Sequence, residues 1–284
     1  MKKPQLIIIA TALFLIGGLY FFGPTKGKKE KAEPTPVTSN MDDAHTTVNI
    51  DTFLILGKKK LNSEQVVRIN ELEYSISRGD VKEQQLKVYQ QLAKFWYDSA
   101  NAFEPFAWYT AEAARLENSE KSLTFAAQLF LNNLQQDDVV DRRKWKALQA
   151  KDLFERSLKL NPDNDSAKIG LGSCYLFGNI SASPMEGILK IREVTQKDSN
   201  NVYAQMMLGK ASLLSGQFDK AEERFKAVLR IKPQSLDALL LLGEIAERKG
   251  DKKAAIDWYK KSLPLTNIPE LKAGIEKRIG DLQK

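Results

Sequence analysis

The chain repeats itself at an interval of 34 residues near its C-terminus. Four pairs of glycine, alanine or aromatic residues share this interval. The pairs are Gly209 and Gly243, Gly216 and Gly250, Ala221 and Ala255, and Phe225 and Tyr259. A fixed period of about 20–50 residues indicates a stacked repeat architecture, in which each unit packs on the next. Val202–Ser235 therefore forms one unit, and Leu236 begins another.

Each unit has the composition expected of two antiparallel helices. Small residues such as Gly209 and Ala221 allow two helix backbones to approach closely, and Phe225 supplies a bulky side chain for the space between helices. Pro233 ends the second helix, because proline cannot continue the hydrogen-bond ladder. Gly250 ends another helix, since glycine readily adopts the left-handed conformation found there. The pattern predicts an all-α fold.

This unit resembles the tetratricopeptide repeat (TPR), a 34-residue helix–turn–helix. The family pattern has a Leu-Gly pair, a small residue, an aromatic residue and a proline at set intervals. Val202–Ser235 carries all of them, as Leu208-Gly209, Ala221, Phe225 and Pro233. The next unit carries Leu242-Gly243, Ala255 and Tyr259, but its proline, Pro264, comes three residues early. The resemblance implies a right-handed superhelix of antiparallel helix pairs, a TPR-like α-solenoid.

The resemblance weakens toward the N-terminus. A unit of 37 residues, 165–201, carries a Leu171-Gly172 pair with Gly187 and Ile191 at the small and bulky positions. We predict TPR-like repeats over residues 142–267, degenerate helical repeats over 61–141, and a C-terminal capping helix over 268–284.

The N-terminus has the pattern of a membrane anchor. After Lys2 and Lys3, residues 4–25 are uncharged and rich in Ile, Leu and Phe. About 20 apolar residues cross a bilayer as a helix. We predict a single transmembrane helix in residues 1–25; the alternative is a cleaved signal peptide. The short, charged N-terminal tail favours a bacterial inner-membrane protein whose tail stays inside and whose repeat domain is extracytoplasmic. The lysines after the span favour the alternative, a repeat domain on the cytoplasmic side.

A flexible tether is predicted over residues 26–60. This segment is rich in Pro, Thr, Ser, Lys and Glu, so its first part buries too little apolar surface to offset the entropy of ordering. Thr52–Leu56 is the one candidate for a short strand. His45 lies in this tether beside Asp42 and Asp43, a weak motif for which we predict no metal.

Residues typical of catalytic sites are sparse. One histidine and one cysteine do not make a zinc site or a nucleophile–histidine pair, and Cys174 is expected to be a buried, inert thiol. Asp137, Asp138 and Asp141 are interpreted as residues that favour the start of a helix. The formal net charge of +7 is spread among acidic residues, which does not indicate nucleic-acid binding. We predict no catalytic residue, no cofactor and no metal.

The family resemblance implies a concave, partner-binding face. In TPR proteins this face is lined by the second, fifth, ninth, twelfth and thirteenth positions of the first helix of each unit. The matching residues are Ile169, Ser173, Phe177, Tyr203, Met206, Lys210, Leu213, Asp237, Leu240, Glu244 and Arg248. They predict an apolar strip with charged edges that would hold an amphipathic helix or an extended segment of another protein. The alternatives are packing within the superhelix and self-association.

The leading functional hypothesis is a membrane-anchored scaffold or adaptor, working in envelope assembly or transport. One alternative is a structural subunit of a larger membrane complex. Another is an enzyme that uses acidic residues on the concave face; its mark would be a deep pocket with convergent carboxylates.

Overall fold

A computed structural model describes residues 48–78, 81–181 and 184–284 of the chain. They belong to one compact unit, residues 46–284. Thirteen α-helices occur in these described ranges: α1 Ile50–Lys58, α2 Ser63–Arg78, α3 Lys82–Asp98, α4 Phe103–Glu117, α5 Glu120–Leu134, α6 Val140–Leu160, α7 Asp165–Phe177, α8 Met185–Lys197, α9 Val202–Leu214, α10 Phe218–Ile231, α11 Leu236–Arg248, α12 Lys252–Ser262 and α13 Pro269–Leu282. The all-α prediction is confirmed for this part of the chain.

The first helix of each C-terminal unit begins at a side-chain cap. Asn164, Asn201 and Ser235 each accept a hydrogen bond from the backbone N–H three residues further on. Such caps satisfy donors that have no partner inside the helix. Gly216 and Gly250, with φ of +71° and +80°, follow α9 and α11, where a left-handed residue allows the chain to reverse into the second helix.

The two helices of a unit approach closely at glycine. A Cβ atom added to Gly209 of α9 would lie 2.5 Å from Cε1 of Phe225 in α10, and one added to Gly243 of α11 would lie 2.5 Å from Cε1 of Tyr259 in α12. The repeat at 34 residues is therefore a repeated contact between a glycine and an aromatic ring. The 37-residue unit uses Gly172 against Gly187 and Ile191 instead.

The C-terminal end of the stack is covered by a helix. At the C-terminus, Ile275 and Ile279 of α13 pack with Ala255 and Tyr259 of the last repeat. The early Pro264 lies in a short 3₁₀ turn, Leu263–Leu265, directly after α12.

At the other end, the structure differs from the sequence prediction. Residues 50–58, placed in the tether, form α1, so the candidate strand at Thr52–Leu56 is wrong. Phe53 explains the difference, because its ring packs against Trp145 with centroids 4.8 Å apart. Asn49 caps the helix through the N–H of Thr52. Tertiary contact thus orders a segment whose local composition does not predict it.

Within the described residues, no helix has the length and apolar character needed to cross a membrane. The predicted anchor at residues 4–25, most of the predicted tether and His45 lie outside the residues that the structure describes.

The glycine contacts give a matched test of the packing. Gly209→Ala should lower the free energy of unfolding by about 1–3 kcal/mol, because the added methyl group must displace the fully buried ring of Phe225. Gly274 is an exposed position of α13, and a Cβ atom added there meets nothing within 4 Å. Gly274→Ala should therefore raise the free energy of unfolding by about 0.5–1 kcal/mol. Urea unfolding followed by circular dichroism measures both changes. Equal changes in the free energy of unfolding at Gly209 and Gly274 would show that the contact between Gly209 and Phe225 does not limit the packing.

Candidate partner-binding groove

The first helices of successive units form one surface. Tyr203 of α9 reaches past α7, and its hydroxyl donates a hydrogen bond of 3.3 Å to Oε1 of Gln128 in α5. Lys210, two turns further along α9, donates one of 3.1 Å to Oε1 of Gln135. Burial raises the pKa of Tyr203 to about 12, so the hydroxyl keeps the proton that it donates. These two contacts join α9 to α5 and to the connection that follows α5.

Two cavities adjoin along this surface. The first, called the polar cavity, has a volume of about 790 Å³. It is lined by Asn132, Gln135, Gln136, Val202, Tyr203, Met206, Met207, Lys210, Lys232, Ser235 and Asp237. Side-chain amides, one carboxylate and two lysines therefore share its wall with methionine side chains.

The second, called the leucine pocket, has a volume of about 300 Å³. Its lining is Leu134, Gln135, Arg143, Leu176, Phe177, Lys210, Leu213, Leu214 and Leu241. Leu214 is 71% exposed and adjoins the other apolar side chains of the pocket, and contiguous exposed apolar surface of this kind marks interaction sites. Gln135 and Lys210 line both cavities. The polar cavity and the leucine pocket together are called the groove.

Six of the eleven residues predicted from the family pattern line this groove. They are Phe177, Tyr203, Met206, Lys210, Leu213 and Asp237.

Two predicted residues of α7 are instead packed inside the protein. Ile169 and Ser173 are 1% and 0% exposed, and the hydroxyl of Ser173 donates to the carbonyl of Ile169 at 2.8 Å. The physical reason is that α5 and α9 meet across α7 through Tyr203 and Gln128. A partner cannot contact these two side chains in this arrangement, so we leave them out of the site.

Three predicted residues of α11 line neither cavity. Arg248 pairs with Glu244 at 2.7 Å and lies over the ring of Phe218, while Leu240 packs against the C-terminal apolar cluster.

Sequence reasoning missed the wall contributed by α5 and the residues after it. Asn132, Gln135 and Gln136 lie there, and Arg143 follows in α6. Asn132 had a usable signal, because it lies on the first helix of a pair and the family positions could have been carried onto that helix as well. Gln135, Gln136 and Arg143 have no such signal, since they lie in a connection and in a second helix.

A buried charge network fixes this wall. Asp137 lies in the connection between α5 and α6, and its carboxylate accepts from Arg142 and Lys146, both at 2.6 Å. The ammonium of Lys146, a residue only 2% exposed, also lies 2.8 Å from Glu104 of α4.

The aspartate interpretation holds in part. Asp141 lies in the first turn of α6, where a carboxylate favours the helix start. Asp137 accepts from the N–H of Val139 but mainly holds the two cations.

The network shifts the titration of Asp137. Burial alone would raise the pKa of this carboxyl, but hydrogen bonds from Arg142 and Lys146 outweigh burial and hold the pKa well below its usual range. The ionised form is thus preferred in the folded protein.

These features define a helical-repeat protein with a groove along its stacked first helices. Residues 192–268 match the Tetratricopeptide repeat family model, which supports the repeat assignment made from Val202–Ser235 and the unit after it. A search of curated proteins finds no match.

Several solved structures are similar to this chain. TTC0263, a thermophilic TPR protein in Thermus thermophilus, is 14% identical, with 72% of this chain and 99% of that chain covered and a TM-score of 0.51. YrrB, described as a TPR protein with an unusual peptide-binding site, is 18% identical over 72% of this chain and 97% of its own, with a TM-score of 0.41. MamA from Desulfovibrio magneticus is 21% identical over 66% and 96%, with a TM-score of 0.43. The likeness to TTC0263 supports a TPR-like solenoid fold.

The charge network makes a stability prediction. Asp137→Asn should lower the free energy of unfolding by about 3 kcal/mol at neutral pH, because it leaves Lys146 buried with one carboxylate instead of two. Since the folded pKa of Asp137 is depressed, its contribution is present above the unfolded pKa of about 4 and is lost as the pH falls further. The difference from wild type should therefore shrink in acid. Asp138→Asn, an exposed neighbour, is the control; a loss as large as that of Asp137→Asn would contradict the assignment.

Proposed function

We propose that this chain is a protein-binding scaffold whose groove holds an amphipathic or extended segment of a partner. The observation that carries the proposal is the pairing of the two cavities: an apolar pocket with a highly exposed leucine adjoins a larger cavity rich in side-chain amides. Support also comes from the repeat type, because TPR folds typically serve as non-catalytic protein-interaction scaffolds.

The groove has the chemistry that such a segment needs. A bound backbone must satisfy its own N–H and C=O groups, and the exposed amides of Asn132, Gln135 and Gln136 can donate to and accept from it. Apolar side chains of the segment would enter the leucine pocket. Met206 and Met207 line the polar cavity, and methionine adapts its shape to different apolar partners.

The proposal includes membrane attachment through residues 4–25. A span there, followed by a tether that ends near α1, would hold the groove close to the membrane. Tethering raises the effective concentration of a second membrane component without adding a contact. Envelope assembly or transport is the setting that we propose, with the repeat domain outside the cytoplasm.

Photocrosslinking tests the groove directly. We expect that benzoylphenylalanine introduced at Leu214 in the full chain captures a partner in membranes, because this side chain is 71% exposed within the groove. Addition of Leu241→Ser, which enlarges the leucine pocket, should reduce this adduct severalfold. Mass spectrometry of the adduct identifies the partner.

A matched control is available on α8, the second helix of the preceding unit. Leu189 of α8 is 53% exposed and lines neither cavity, so the same photoreactive residue there should not give that adduct. Equal capture from both positions would overturn the groove as the binding site. An adduct between two copies of this chain would favour the structural-subunit alternative.

The anchor is tested separately by fractionation. Deletion of residues 2–25 should move the protein from the carbonate-resistant membrane pellet to the supernatant, because about 20 apolar residues supply the energy of insertion. Lys253→Cys places a thiol at an exposed position of α12. The native thiol of Cys174 is buried, so the reagent should react only with the new one. Labelling of intact spheroplasts by a membrane-impermeant maleimide then indicates an extracytoplasmic domain, and labelling only after lysis indicates the cytoplasmic alternative.

A further inference from the structure

The leucine pocket contains two cations and, among its described lining residues, no carboxylate. Arg143 enters it from the first turn of α6 and Lys210 from α9. Neither makes an ion pair with a described carboxylate. The Nε atom of Arg143 is buried and makes no hydrogen bond within the described residues. A buried guanidinium nitrogen without an acceptor is costly, so native proteins normally pair such groups.

Lys210 is partly buried. Burial lowers the pKa of its ammonium, and the attraction of Asp237 offsets this only in part. Its one hydrogen bond in the described structure goes to the neutral amide of Gln135 at 3.1 Å. An added carboxylate beside Lys210 and Arg143 would stabilise both cations at once.

We propose that the leucine pocket binds the side-chain carboxylate of an aspartate or glutamate that is flanked by apolar residues in the partner segment. The inference rests on the proposed function, and it specifies the partner that the groove selects. The guanidinium group of Arg143, which lines the pocket, would donate to the carboxylate, Lys210 would add a second charged donor, and the flanking side chains would pack on Leu214 and Leu241. Charge-assisted hydrogen bonds of this kind are stronger than neutral ones.

The geometry favours an internal residue of the segment over its C-terminal carboxylate. Gln135 and Lys210 line the leucine pocket on one side and the polar cavity on the other. Lys210 therefore lies where the two cavities meet, with Arg143 in the leucine pocket beside it, and a chain bound there can continue from one cavity into the next.

Selection from a library of random displayed peptides tests the proposal with the purified full chain. The expected consensus has Asp or Glu between aliphatic or aromatic residues. A synthetic peptide of that consensus, acetylated and amidated, should bind about tenfold more tightly than the same peptide with Gln in place of the acid. Fluorescence anisotropy measures both affinities.

A double-mutant cycle assigns the effect to the two cations. Arg143→Gln combined with Lys210→Gln should weaken binding of the acidic peptide about tenfold and leave binding of the Gln peptide nearly unchanged. The charge-matched control, Lys252→Gln with Lys253→Gln, changes two exposed lysines of α12 outside the groove and should not alter the preference. Circular dichroism confirms that each variant is folded.

The remaining outcomes separate this inference from the proposed function. A consensus of apolar residues alone, with binding lost on Leu241→Ser, would overturn the acid site and leave the groove proposal standing. A requirement for a free C-terminal carboxylate would also overturn the internal site. Selected peptides whose binding is insensitive to both sets of groove variants would overturn the groove and the acid site together.

Discussion

Close contact between a glycine and an aromatic ring holds each C-terminal helix pair together. Gly209 against Phe225 and Gly243 against Tyr259 leave no room for even one added carbon atom. Because these contacts bring the paired helices to a fixed separation, they also set how the next unit stacks. A side chain at either glycine would push the helices apart, and the first helices would no longer align as a common wall for the groove.

The groove depends on a second constraint that lies outside the repeat. Its far wall is the end of α5 and the connection after it, which would be a poor binding surface if it were mobile. The ion pair between Asp137 and Lys146 ties that connection to α6. Glu104 of α4 pairs with the same lysine, so α4 and α6 are also held together. A buried ion pair adds little net stability, yet breaking it is expensive. The network therefore serves as a device that fixes one arrangement of Gln135, Gln136 and Arg143.

Charge in this region is distributed in two ways. Asp137 and Glu104 neutralise the buried Lys146 and the partly exposed Arg142, whereas Arg143 and Lys210 line the leucine pocket without an ion pair to a described carboxylate. Adjacent residues in one helix turn, Arg142 and Arg143, thus have opposite tasks. The first is used for internal structure, and the second is the residue that we propose pairs with a partner carboxylate.

The sequence by itself determined the all-α class and the helix pairs from residue 165 onward, because these follow from local spacing and the need for glycine. It also placed Tyr203, Met206 and Lys210 on the groove side of α9. Only the tertiary structure decided that Ile169 and Ser173 are closed over, that α5 and Arg143 complete the groove, and that Phe53 draws residues 50–58 into a helix. Those outcomes depend on contacts between segments far apart in the chain, such as Tyr203 with Gln128 and Phe53 with Trp145, and no local pattern records which distant side chain will cover a given face.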